Sequence, residues 1–66
     1  MMSDDITLAE ICQRTRWRMK INQYKMAELV YTNQTEISFI ERGFIPKDTC
    51  KIERIMELAR NVGIIK

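Results

Sequence analysis

Few side chains in this chain could act on another molecule, and their chemistry is hydrogen bonding rather than bond making. There is no histidine, and the two cysteines, Cys12 and Cys50, stand far apart in sequence. No nucleophile motif, phosphate loop or metal-ligand cluster accompanies them. Cys50 falls near the start of a helix, which can lower a thiol pKa, but no base or resolving thiol is near it in sequence. No enzymatic activity, metal or cofactor is therefore expected. The amides and hydroxyls of interest lie between Gln23 and Gly43, in QYKMAELVYTNQTEISFIERG. That stretch reads as two short helices joined by a tight turn, with the second helix placed to meet a ligand.

The elements around it must come from a small chain. Its 66 residues make one domain (1–66), near the lower limit for burying an adequate core without a partner, so oligomerisation is expected. Hydrophobic residues at 45%, with two Gly and one Pro, favour an all-α globular class. The net charge of +2 is too small to indicate nucleic acid by itself. Its distribution is uneven: Arg14, Arg16, Arg18, Lys20 and Lys25 fall in a stretch without acid, while Asp4, Asp5 and Glu10 precede it. One end of the domain should be positive and the other negative. With no signal peptide and no dense cysteine framework, reduced thiols in a cytoplasm are expected. No apolar run reaches the roughly 18 residues that a membrane span needs.

Four helices follow from capping signals and periodicity. Met1 to Asp5 reads as a frayed tail. Thr7 with Glu10 forms a capping box, flanked by Ile6 and Ile11 at staple spacing. Leu8, Ile11, Cys12, Thr15 and Met19 then share one face, with Cys12 as a small buried apolar residue. Trp17 falls off that stripe, either as a wall against the C-terminal helix or as an exposed contact. Asn22 caps a second helix from about Gln23 to Val30, with Met26, Ala27 and Val30 inward. Asn33 caps a third, with Glu36 as capping-box partner and Ile37 and Ile40 inward, ending at Gly43. Phe44-Ile45-Pro46 cannot continue it. Asp48 or Thr49 caps a fourth, whose core face is Ile52, Ile55, Ala59 and Val62 up to Gly63, followed by a short apolar tail over 63–66. The three-residue link Tyr31-Thr32-Asn33 suits the steep crossing of a helix-turn-helix at about 23–42.

At this point residues 7 to 63 resemble the Cro and phage-repressor-like (Xre-type) helix-turn-helix proteins. The resemblance is densest at Arg16, Asn22-Gln23, Met26-Ala27, Val30, Gln34, Ile37, Ile40-Glu41 and Gly43. It implies a compact lambda-repressor-like fold of four to five helices that binds DNA. By the same resemblance, Arg16 and Glu41 are an ion pair tying helix 1 to the end of helix 3. Gln23 and Asn33 are phosphate contacts, Gln23 aided by the free amides of its helix's first turn. Arg42 and Lys47 are further phosphate contacts. Gln34, Thr35, Ser38 and Phe39 are base contacts in the major groove: a Gln amide can bond adenine N6 and N7 together, and Phe39 offers only apolar contact. Phe39 would equally serve as the helix-end residue that packs on Phe44.

The sequence departs from the family where Lys20 and Tyr31 stand at positions commonly held by glycine; a positive φ there costs roughly 1 kcal/mol. The fifth helix is reduced to Ile64 and Ile65. The expected function is a sequence-specific transcriptional regulator, a homodimeric repressor on a palindromic operator of double-stranded DNA. Val62, Ile64 and Ile65 either form the dimer interface or fold back onto helix 1. Glu28 is a possible contact for RNA polymerase. The alternatives are a protein-interaction module anchored by Trp17, Tyr24 or Phe39, and a restriction-modification controller.

Overall fold

Four side-chain oxygens start the helices. In the computed structural model, which describes residues 7–65, Thr7 Oγ1 accepts from the Glu10 amide at 3.2 Å, ahead of α1 (Leu8–Met19). Asn22 Oδ1 accepts from Lys25 at 2.8 Å, ahead of α2 (Gln23–Leu29). Asn33 Oδ1 accepts from Glu36 at 2.8 Å, ahead of α3 (Gln34–Glu41). Asp48 Oδ1 accepts from Cys50 at 3.0 Å, ahead of α4 (Thr49–Asn61). Each oxygen satisfies one of the amides that a helix start leaves without a partner. Among the described residues there is no strand, and residues 62–65 form no fifth helix. The expected tail over Met1–Asp5 and the staple residue Ile6 lie outside the described residues, as does Lys66.

The helices also end alike. An amide two residues beyond the last turn bonds to a carbonyl five positions back: Ile21 to Arg16 (3.1 Å), Thr32 to Ala27 (2.9 Å), Phe44 to Phe39 (2.9 Å) and Ile64 to Ala59 (2.8 Å). This Schellman closure needs a left-handed residue just before the donor. Those residues are Lys20 (φ 60), Tyr31 (φ 61), Gly43 (φ 112) and Gly63 (φ 83). Two of the four ends thus use glycine, and two force a side-chain-bearing residue into the same conformation.

The core is drawn from the inward positions that the periodicity predicts. It joins Ile11 and Cys12 of α1, Met26 and Ala27 of α2 with Val30 just past its end, Ile37 and Ile40 of α3, and Ile55 and Ala59 of α4. Leu8, Ile21, Met56, Leu58, Ile64 and Ile65 pack partly buried around it. The stripe on α4 is buried at its middle and only half covered at its ends, Ile52 and Val62; Met19, at the end of α1, is likewise half-buried. Thr15 is fully buried, and its hydroxyl has no hydrogen-bond partner among the described residues. Pro46 is buried in the link between α3 and α4. α1 packs against both α3 and α4, and α2 packs against α3. The α2–α3 unit is therefore held in place from the α1 side. No helix of the described residues is long and apolar enough to cross a membrane.

Candidate nucleic-acid interface

Glu41, the last residue of α3, gathers five hydrogen bonds from four side chains elsewhere in the chain. Arg16 approaches it with both arms of its guanidinium, Nε to Oε2 at 2.9 Å and Nη2 to Oε1 at 3.1 Å. Gln23 Nε2 donates to Oε1 at 3.1 Å, and the Cys12 thiol donates to Oε2 at 3.6 Å. Gln13 Nε2 donates to the Glu41 carbonyl at 3.0 Å, next to a helix end where carbonyls lack partners. The Arg16 and Glu41 side chains are 17% and 6% exposed, so this is a semi-buried, bidentate pair. The Glu41 hydrogen bond raises the Arg16 pKa above its already high ordinary value. Burial first, then the charge and hydrogen bond of Glu41, push the Cys12 thiol up to about 12. Through this one carboxylate α1, the start of α2 and the end of α3 are fixed to each other.

The brace sits at the border of the buried Ile37 and Ile40 side of α3 and leaves the side facing away from those residues open. At about 100° per residue, Gln34, Ser38, Arg42, Thr35 and Phe39 follow one another across an arc of about 140°. Gln34, Thr35, Phe39 and Arg42 are exposed and Ser38 is half-buried. The four expected base-reading residues therefore share one face, with Arg42 among them. None of their side chains makes a hydrogen bond among the described residues, so their polar atoms are available to a ligand. Phe39 does pack on Phe44, ring edge to face, with centroids 6.3 Å apart. Yet Phe39 keeps 47% of its surface exposed and Phe44 51%.

The expected phosphate contacts divide. Arg42 and Lys47 are exposed and form no ion pair among the described residues. Asn33 uses its Oδ1 as the cap, leaving its amide nitrogen to donate outward. Gln23 is half-buried and gives one of its amide protons to Glu41. A Gln amide has two donors, so the second remains. Gln23 is thus oriented by the brace, a link that reading its position as a helix start did not anticipate.

Two capping assignments need correction. Glu36 is not the reciprocal partner of Asn33: its carboxylate accepts from the Thr32 hydroxyl and from Lys51 Nζ, the latter at 2.5 Å. The nearby ammonium of α4 offers a carboxylate a stronger donor than a neutral backbone amide. The Lys51 bond first, then that of Thr32, hold the Glu36 pKa below its ordinary value. Glu10 likewise turns to Arg14 at 3.3 Å rather than back to Thr7.

The basic run on α1 and α2 is less of a free positive stripe than its sequence implies. Arg14, Arg16 and Lys25 each face a carboxylate, Glu10, Glu41 and Glu28 respectively. Arg18 donates to the Val62 carbonyl at 3.1 Å, joining α1 to the end of α4. Trp17 is 60% exposed beside Arg14, Arg18, Gly63 and Ile64, so it is no wall against α4. The Arg54 guanidinium stacks 4.4 Å from the Tyr31 ring centroid, clamping the α2–α3 turn to α4. Gln13, Lys51 and Arg54 escaped the sequence reading. Only Gln13 carried a signal, standing one turn before Arg16 on the same helix face.

Val62, Ile64 and Ile65 are half-buried, and the two isoleucines lie against the core. Among the described residues no three His, Cys, Asp or Glu side chains come together as a metal site. Comparison with protein-family models, curated proteins and solved structures gives no match.

Proposed function

We propose that the protein is a sequence-specific DNA-binding regulator of transcription. In this reading α3 enters the major groove, with Gln34, Thr35, Ser38 and Phe39 toward the bases, and Gln23, Asn33, Arg42 and Lys47 meet the phosphates. The observation that carries it is the pairing of a brace and a free face. Glu41 binds three other side chains on the inner edge of α3, while the polar groups along the outer arc are left without partners. A helix held rigidly at its end, with unpaired amide and hydroxyl groups pointing outward, matches what reading base edges demands. The resemblance to the Cro and phage-repressor-like proteins points the same way.

The protein acts on this reading as a homodimer on a palindromic operator, with recognition helices about 34 Å apart. Half-covered Val62, Ile64 and Ile65 supply apolar surface for that contact. Repression follows from occupying a promoter. A second reading, an interaction module for another protein, draws on exposed Trp17 and Tyr24. The two separate in a gel shift with DNA from the protein's own promoter region. The DNA reading expects a specific complex that weakens steeply with salt and is lost in Gln34→Ala. No shift at any salt rejects it.

A further inference from the structure

The outer arc of α3 ends in a group that cannot hydrogen bond. Phe39 follows Thr35 on that arc, and its ring is backed by Phe44, which the left-handed turn at Gly43 (φ 112) folds against it. The Schellman closure explains why these two rings touch. It does not explain why about half of each remains in solvent, or why Ile45, next in the chain, is 60% exposed. Three large apolar side chains therefore border a face otherwise made of an amide, two hydroxyls and a guanidinium. In the major groove the one apolar group on a base edge is the pyrimidine 5-methyl.

We infer that Phe39, held by Phe44, reads a 5-methyl group, so that each half-site carries a thymine facing the Phe39 edge of the arc, and 5-methylcytosine substitutes for it in methyl contact. This rests on the DNA-binding reading above. Phe39 is the specificity-determining residue, and Phe44 is a positioning residue that restricts the Phe39 ring. Gln34, at the other edge of the arc, reads a different base pair.

The test uses the purified full chain and duplexes recovered by binding selection from random-sequence DNA, with each thymine replaced singly by uracil. Uracil keeps every hydrogen-bonding group and removes only the methyl. One position per half-site should lose about fourfold in affinity, the size expected for burying one methyl. That sensitivity should vanish in Phe39→Ala and shrink in Phe44→Ala with the salt dependence unchanged. Placing cytosine or 5-methylcytosine at the same position should give the same ratio in favour of the methylated base. If Phe39→Ala fails to fold by circular dichroism, Phe39→Gln takes its place, since a half-exposed site accepts a polar side chain. Indifference to uracil at every position, or uracil sensitivity that survives loss of the Phe39 ring, overturns this inference alone. Absence of salt-sensitive duplex binding overturns it together with the proposed function.

Discussion

Lys20 sits at φ 60, with its side chain free of any partner among the described residues. A β-carbon in the left-handed region clashes with the following carbonyl, and nothing around Lys20 compensates. Lys20→Gly should therefore raise stability by about 1 kcal/mol, read as a higher urea midpoint at unchanged slope. Tyr31→Gly should gain less, because Tyr31, at φ 61, also carries the stacked Arg54. The cysteines separate by environment in the same way. Cys12 is fully buried, its pKa pushed up to about 12, while Cys50 is exposed. A disulfide-exchange reagent should titrate one thiol in the native protein and two in denaturant. Prompt reaction of both in native buffer contradicts the burial of Cys12.

At the scale of elements, the Glu41 brace predicts a large cost for breaking it from one side. Glu41→Leu leaves the Arg16 guanidinium semi-buried without its carboxylate, and Arg16→Met strands the carboxylate, so each should destabilise by roughly 3 kcal/mol. The double variant Arg16→Met, Glu41→Leu should recover much of the loss. Simple additivity in that double-mutant cycle would show that the two residues do not act as a pair. The tie between α3 and α4 has a pH signature. The Glu36 pKa is held below its ordinary 4.5, mainly by Lys51, so its contribution is fully present above 4.5 and is lost as pH falls through the depressed value. Lys51 is shifted upward by the same bond, so its share is present below 10.5 and lost as pH rises through the raised value. The stability gap between wild type and Glu36→Gln should thus be constant near neutral pH and close on acidification below 4.5. A gap that is unchanged there contradicts the pairing.

The helices themselves were legible in the chain because capping and periodicity are local. Asn22, Asn33 and Asp48 mark three starts within a residue, and Ile37 with Ile40 predict the buried side of α3. The Arg16–Glu41 pair was visible only through the family resemblance, since the two residues lie 25 positions apart. The same distance hid Gln13 and Gln23 as further partners of Glu41, and Lys51 as the partner of Glu36. A capping box has a fixed local signature, whereas the competing ammonium arrives from another helix. The half-exposed state of Phe39 was equally out of reach, because helical spacing permits it both to pack on Phe44 and to face outward, and the structure has it doing both.

For the whole molecule, charge and size set the terms of the proposed function. Three of the five bases in the run on α1 and α2 face carboxylates. On the proposed function, affinity for a polyanion then leans on Arg42, Lys47, Lys20 (unpartnered among the described residues) and the amides near the α2 and α3 starts, with dimerisation adding a second set. The most direct test is binding to the protein's own promoter DNA, followed by fluorescence anisotropy across a range of salt concentrations, for wild type and Gln34→Ala. The account predicts a log–log slope showing several displaced counterions for both proteins, with wild type tighter on the promoter sequence than on a scrambled duplex and Gln34→Ala indifferent between them. Wild-type binding that ignores salt, or that fails to distinguish the two duplexes, would contradict it.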